Sequence, residues 1–84
     1  MAPPPLDVSA VSSALPGWDV DLYVDESAER LLGSAVFGGL ADRIGALPGI
    51  GEVQHEDREL FRLRTGLSPA AVERAAGDLL ASLD

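Results

Sequence analysis

The chain has 84 residues, 46% of them hydrophobic, and its fourteen acidic and six basic residues give a formal net charge of −8. This composition predicts one small domain with a limited core and argues against global disorder. The negative charge argues against nucleic acid and anionic membranes as partners, because both attract clustered Arg and Lys.

Cysteine is absent, which excludes a disulfide framework, a thiolate metal site and a thiol nucleophile. No apolar run reaches the roughly 18 residues that a membrane helix needs. The amino terminus, MAPPPLDV, lacks the basic start and long apolar core of a secretory signal. We therefore expect a soluble cytoplasmic protein.

Residues 1–17, MAPPPLDVSAVSSALPG, are predicted to form a partly flexible arm before a single domain at 18–84. The three consecutive prolines favour an extended polyproline conformation. The following LDVSAVSSAL is compatible with two structures. One is a short helix capped by Asp7 or Ser9, and the other is a strand with Leu6, Val8 and Ala10 on one face.

The stretch WDVDLYVD, residues 18–25, alternates apolar and polar residues, which predicts an antiparallel strand with one buried face. The expected apolar face consists of Trp18, Val20, Leu22 and Val24. The expected polar face consists of Asp19, Asp21, Tyr23 and Asp25.

From Ser27, the expected N-cap, the apolar spacing becomes helical. The periodic residues are Leu32, Val36, Leu40, Ile44 and Leu47. Each glycine in the stretch costs roughly 1 kcal/mol relative to alanine. The helix is therefore either broken near Gly33 or Gly38-Gly39 or packed closely against another element. It is expected to end at Gly45 and the following LPG.

Two strands joined by a tight bend are expected between Ile50 and Thr65. Pairing Val53 with Leu63 places apolar side chains on one face, and a slip of one residue would expose Phe61 and Leu63. The other predicted pairs are Glu52 with Arg64, Gln54 with Arg62, His55 with Phe61 and Glu56 with Leu60, around a tip of Asp57, Arg58 and Glu59.

The stretch LSPAAVERAAGDLLASLD predicts the last helix, with Ser68 as N-cap and Pro69 as its first residue. Its apolar stripe is Val72, Ala76, Leu79, Leu80 and Leu83.

The element order predicts an α+β sandwich with an antiparallel sheet and two helices on one face. The natural topology is the ferredoxin-like β-α-β-β-α unit. Its fourth strand is expected to be missing or replaced by the N-terminal arm. Without that strand, the first strand would have an open edge that invites another chain.

The pieces VDLYVD, ALPGIGEV, LFRLRT and LSPAAVERAAGDLL, between Val20 and Leu83, resemble a heavy-metal-associated-type ferredoxin-like domain. That family binds metal through a Cys-x-x-Cys pair after the first strand, where this chain has DESAERL. Copper(I) transfer is therefore excluded, because thiolates select that ion. The resemblance implies a fold and at most a similar mode of binding to partner proteins.

His55, Glu56 and Asp57 are the first candidate site, for zinc or for acid–base chemistry. Adjacent residues on a strand point to opposite faces, so His55 and Glu56 are not expected to converge on one ion. We interpret His55 as a partly buried structural residue.

The second candidate is the acidic strand face with Asp19, Asp21 and Asp25 around Tyr23. Carboxylates could bind a hard cation, but neighbours on one strand face lie about 6.5–7 Å apart, too far for one ion. Arg62 and Arg64 are instead expected to lie between Asp19/Asp21 on one side and Glu52/Gln54 on the other, as an ion-pair lattice.

The third candidate is LLGSAVFGG, because a glycine-rich loop before a helix can bind phosphate. Its spacing fits no phosphate-loop motif, and the chain has no lysine. A flexible loop or close backbone packing is expected, with Phe37 on an exposed contact surface.

The leading hypothesis is a small acidic, non-catalytic protein-interaction or adaptor module that acts through the sheet edge and the open sheet face. Its expected partner is another protein or a second copy, and no cofactor or metal is expected. The alternatives are an ACT-like ligand-binding regulatory domain and a carboxylate/histidine metal carrier that depends on His55. The expected interaction residues are Asp19, Asp21, Tyr23, Phe37, Arg62 and Arg64.

Overall fold

Residues 8–83 are described here by a computed structural model. The strands are β1 (Val8–Ser12), β2 (Val20–Val24), β3 (Ile50–Asp57) and β4 (Leu60–Thr65). The helices are α1 (Ser27–Leu32), α2 (Ser34–Gly38), α3 (Leu40–Gly45) and α4 (Pro69–Leu83). The strands form one antiparallel sheet in the order β1-β2-β4-β3, so the fold is α+β, as predicted.

The N-terminal arm contributes a strand, and the helical alternative for it is wrong. β1 pairs with β2 from Val8 opposite Val24 to Ser12 opposite Val20. Val8 and Ala10 pack against the core, as the strand alternative predicted, while Leu6 and Asp7 lie outside the described residues. Because β1 occupies this position, β2 has no open edge, which agrees with the alternative in which the N-terminal arm takes the place of the missing strand.

The strand predicted at residues 18–25 is shorter in the structure. Val20, Leu22 and Val24 are buried, as alternation predicted. Trp18 precedes β2 and is only half-buried, and the guanidinium carbon of Arg64 lies 4.9 Å from the centre of its ring. The prediction that Trp18 belongs to the core is therefore wrong.

The glycine-rich stretch forms three short helices because the chain breaks at both predicted places. Gly33, with φ +88° and ψ 152°, separates α1 from α2, and Gly39 separates α2 from α3. Ser27 is the first residue of α1, and its N–H donates to Asp25 Oδ2 at 3.1 Å. The prediction of Ser27 as the capping side chain is wrong, since Asp25 supplies the acceptor.

The hairpin has the predicted central register, with Val53 opposite Leu63, Gln54 opposite Arg62 and His55 opposite Phe61. The register shifts on both sides of this segment. Asp57, rather than Glu56, lies opposite Leu60, so the tip is the two residues Arg58 and Glu59. The extra residue is accommodated as a bulge.

The last helix begins as predicted. Ser68 Oγ accepts a hydrogen bond from the N–H of Ala71 at 3.2 Å, and Pro69 is the first helical residue. Val72, Ala76 and Leu80 are buried, with Leu79 and Leu83 partly buried beside them. α4 contacts β1 and β2, while α3 contacts β3, and Phe61 and Leu63 of β4 are fully buried on the same face.

The core lies between this face and the helices. Its members are Val20, Leu22, Val24, Ala28, Phe37, Leu40, Ile44, Ile50, Phe61, Leu63, Val72, Ala76 and Leu80. Full burial of one such large side chain contributes about 1.5–3 kcal/mol. Within residues 8–83, no helix is both long enough and apolar enough to cross a membrane.

Candidate interaction surface

The side of the sheet that faces away from the helices is here called the open face. It follows from the strand register, because Val20, Leu22 and Val24 point into the core and the residues between them point outward. The outward residues in neighbouring register positions are Ser9, Val11, Asp21, Tyr23, Leu60, Arg62, Arg64 and Gln54. Of the predicted interaction residues, the structure places Asp21, Tyr23, Arg62 and Arg64 on this surface.

Arg62 is the centre of the open face. Its guanidinium lies 3.1 Å from Glu56 and 3.8 Å from Asp21, and Gln54 donates a hydrogen bond to the same Glu56 carboxylate at 2.8 Å. The side chains of Arg62 and Asp21 are 19% and 13% exposed. Arg62 Nε and Asp21 Oδ1 are buried without a hydrogen-bond partner among the described residues. Asp21 and Arg62 are thus held by charge at a longer distance than a hydrogen bond allows.

Arg64 has a different environment, beside the half-buried Trp18. Its Nη1 atom lies 3.4 Å from Glu52, and its guanidinium lies over the Trp18 ring. The side chain is 54% exposed, so water screens both interactions. Asp19 was expected to pair with the arginines, but it forms no ion pair with Arg62 or Arg64. Its Oδ2 atom accepts the N–H of Thr65 at 2.9 Å and thereby ties the start of β2 to the end of β4.

Tyr23 lies at the other end of the open face, between Ser9 and Leu60, and is 41% exposed. It lines two neighbouring open clefts of about 350 and 410 Å³. The first is lined by Val8, Ser9, Tyr23, Val24, Asp25 and Glu59. The second is lined by Tyr23, Glu26, Asp57, Arg58, Glu59 and Leu60.

Asp25 joins this end of the sheet to α1. Hydrogen bonds from the side chain and backbone N–H of Ser27 lower the pKa of the Asp25 carboxyl below its ordinary value, and Arg30 adds a smaller effect of the same sign. The carboxyl group therefore remains ionised at neutral pH.

His55 is exposed, so the prediction that it is partly buried is wrong. Its ring does lie on the predicted helix-facing side, stacked on Phe61 with 4.0 Å between ring centres. Glu56 contacts Arg62 on the open face, so the two neighbours diverge. Across residues 8–83, no group of three or more His, Asp or Glu residues is placed to hold a metal ion.

Phe37 is buried, with 5% exposure, so the prediction that it belongs to an exposed contact surface is wrong. Its ring lies edge-on to His55 and Phe61, with ring centres 5.7 and 6.4 Å apart. Its five-residue helix, α2, lies within LLGSAVFGG, the candidate phosphate-binding stretch. The segment instead delivers one aromatic side chain to the core.

Val11 is the residue of the open face that sequence reasoning missed. It is 50% exposed and lies opposite Asp21. The alternation of β1 would have identified it once Val8 and Ala10 were assigned to the core face. Because the sequence of the arm is compatible with both a helix and a strand, it does not assign Val11 to a face.

No protein-family model, curated protein or solved structure matches this chain significantly. The comparisons therefore neither support nor contradict the resemblance to heavy-metal-associated-type domains.

Proposed function

We propose that this protein is a small, non-catalytic interaction or adaptor module that binds another protein through its open face and the adjoining β3 edge. The observation that supports this most directly is the exposure of Val11 and Tyr23 on the face of the sheet that does not contact the helices. A surface with exposed apolar groups beside Trp and Arg has the composition of protein-binding surfaces.

The order of elements supports a more specific fold assignment, a ferredoxin-like sandwich in which β1 takes the place of the fourth strand. β2, β4 and β3 lie in the order first, third and second strand of that topology, and β1 pairs on the outside of β2. The helices between β2 and β3 and after β4 cover the same face of the sheet.

The two outer strands differ as binding edges. On β1, the N–H of Ala10 donates to Glu73 Oε1 of α4 at 3.2 Å, so α4 covers part of that edge. β3 pairs only with β4 among the described strands, and six of its eight residues are exposed. We therefore place the edge contribution on β3, where an extended segment of a partner could add to the sheet.

A pair of photo-crosslinking variants tests this proposal. A benzophenone amino acid at Val11 samples the open face, and the same residue at Leu31 of α1 is the matched control, since Leu31 is also an exposed apolar residue, at 59%. Expression in the native host, irradiation and mass spectrometry identify what each position contacts.

We expect a defined crosslinked protein, or a crosslinked second copy, from Val11 and not from Leu31. Equal crosslinking at both positions, or none at Val11, would contradict the proposal. Thermal stabilisation of the purified protein by free amino acids, without a crosslink at Val11, would instead support an ACT-like regulatory domain.

A further inference from the structure

The two ends of the open face differ in their charge. The clefts on either side of Tyr23 are lined by four acidic residues and one basic residue. These are Asp25, Glu26, Asp57 and Glu59, with Arg58. The ion pairs among residues 8–83 involve only Arg62 and Arg64, which lie on the part of the open face beyond Tyr23 and Leu60. The Tyr23 end therefore has net negative charge, which Arg58 and the nearby Arg30 offset only in part.

The acidic groups surround an apolar floor. Tyr23 offers an exposed ring, and Val8 and Leu60, both partly buried, line the clefts beside it. An aromatic face attracts a cation, and the aliphatic stem of Arg or Lys packs on apolar surface while its head group reaches carboxylates. A single long basic side chain can satisfy all of these interactions, with its stem on the apolar floor and its head group at the carboxylates.

We propose that the Tyr23 end of the open face binds an Arg or Lys side chain presented by an exposed segment of the partner protein. This inference rests on the proposed function and specifies the chemistry of the partner. The whole-chain charge of −8 favours a basic partner over a second copy, because two copies would repel each other.

A synthetic peptide of alternating Arg and Ala is the probe, and the same peptide with citrulline in place of Arg is its neutral control. Amide chemical shifts of the isotope-labelled full chain are followed by NMR at about 0.15 M ionic strength, where distant charges are screened. We expect the Arg peptide to shift residues 23–26 and 57–60, and the citrulline peptide to leave them unchanged.

Three variants separate the site from general attraction. Tyr23→Leu keeps an apolar side chain without the ring and is expected to weaken binding about two- to fivefold. Glu26→Gln with Glu59→Gln should weaken it more than Asp42→Asn with Asp78→Asn. The second pair removes the same charge from exposed positions on α3 and α4.

Equal losses from the two double variants, or binding of the citrulline peptide, would overturn the inference. Sedimentation that shows a stable homodimer, weakened by Tyr23→Leu, would overturn it as well, in favour of a second copy. A specific crosslink at Val11 without any response to the Arg peptide would leave the interaction module in place and reject only the basic partner.

Discussion

The two faces of the sheet differ in burial and charge, although the same strands contribute residues to both. On the helix-facing side, Leu22, Phe61 and Leu63 are completely buried, and the loss of water contact stabilises the fold. On the open face, neighbouring residues of the same strands are ionic or partly exposed, as Arg62 and Tyr23 illustrate. Because alternate residues of one strand lie on opposite faces, variants on each face should separate the stability of the core from the proposed recognition.

The largest expected effect is on the helix-facing side. Phe61→Ala removes a fully buried ring and should lower the free energy of unfolding by about 3–5 kcal/mol. Leu60→Ala, at the next position on the open face, should cost less, because Leu60 is only partly buried. Urea denaturation followed by circular dichroism measures both. Similar losses from the two variants would show that the faces do not differ in this way.

The next effect distinguishes two arginines within the open face. Arg62→Ala leaves Asp21 and Glu56 without their ion-pair partner and should cost about 1–3 kcal/mol, because Asp21 is mostly buried. Arg64→Ala should cost about 1 kcal/mol or less, since its contacts with Glu52 and Trp18 are exposed to water. The measurement is again urea denaturation.

Arg74→Ala is the control for Arg62→Ala, because Arg74 is exposed on α4 and makes no ion pair within residues 8–83. A loss at Arg74 equal to that at Arg62 would indicate that net charge, rather than the Asp21–Arg62–Glu56 arrangement, determines the effect.

A smaller effect of opposite sign is expected in the helix layer. Gly77 is inside α4, and a Cβ added there would meet no atom within 4 Å. Gly77→Ala should therefore stabilise the protein by about 0.5–1 kcal/mol, measured as a rise in Tm, with no change at the open face.

Gly49→Ala is the contrasting variant. Gly49 has φ +85°, and an added Cβ would lie 3.0 Å from Leu67 Cγ. It should destabilise by about 1–2 kcal/mol, as expected for a side chain in a left-handed conformation. Stabilisation by both alanines would mean that backbone entropy outweighs the local geometry at Gly49.

The smallest effect concerns pH. The pKa of Asp25 is lowered in the folded protein, so its contribution to stability is present above its ordinary value of 3.8 and is lost as the pH falls through the folded pKa. Asp25→Asn should make the stability fall less steeply below that value, as measured by thermal unfolding across acidic pH. An identical change in Asp42→Asn, on α3, would assign the effect to net charge.

Sequence patterns were informative where neighbouring residues control the outcome. The hairpin register follows from Phe61 and Leu63, because a shift by one residue would expose both. The start of α4 follows from Ser68 and Pro69, which act within one helical turn. The same alternation predicts that Asp21, Tyr23, Arg62 and Arg64 share one face of the sheet.

Contacts between distant parts of the chain were harder to predict. Phe37 lies between Gly33 and Gly38, a pattern typical of an exposed loop, yet it is buried in the core, where its ring meets His55 and Phe61 of the hairpin. Trp18 satisfied the alternation of a core strand, yet it lies beside Arg64, forty-six positions away in the sequence.

The sequence by itself determined which residues can share a buried face, because the periods of strands and helices are local properties of the backbone. Only the tertiary structure decided that Val8–Ser12 becomes a strand beside β2 and that Glu73 covers part of its outer edge. That choice depends on the edge of β2 and on the apolar surface of α4, both of which residues outside the arm create. No pattern within the arm contains that information.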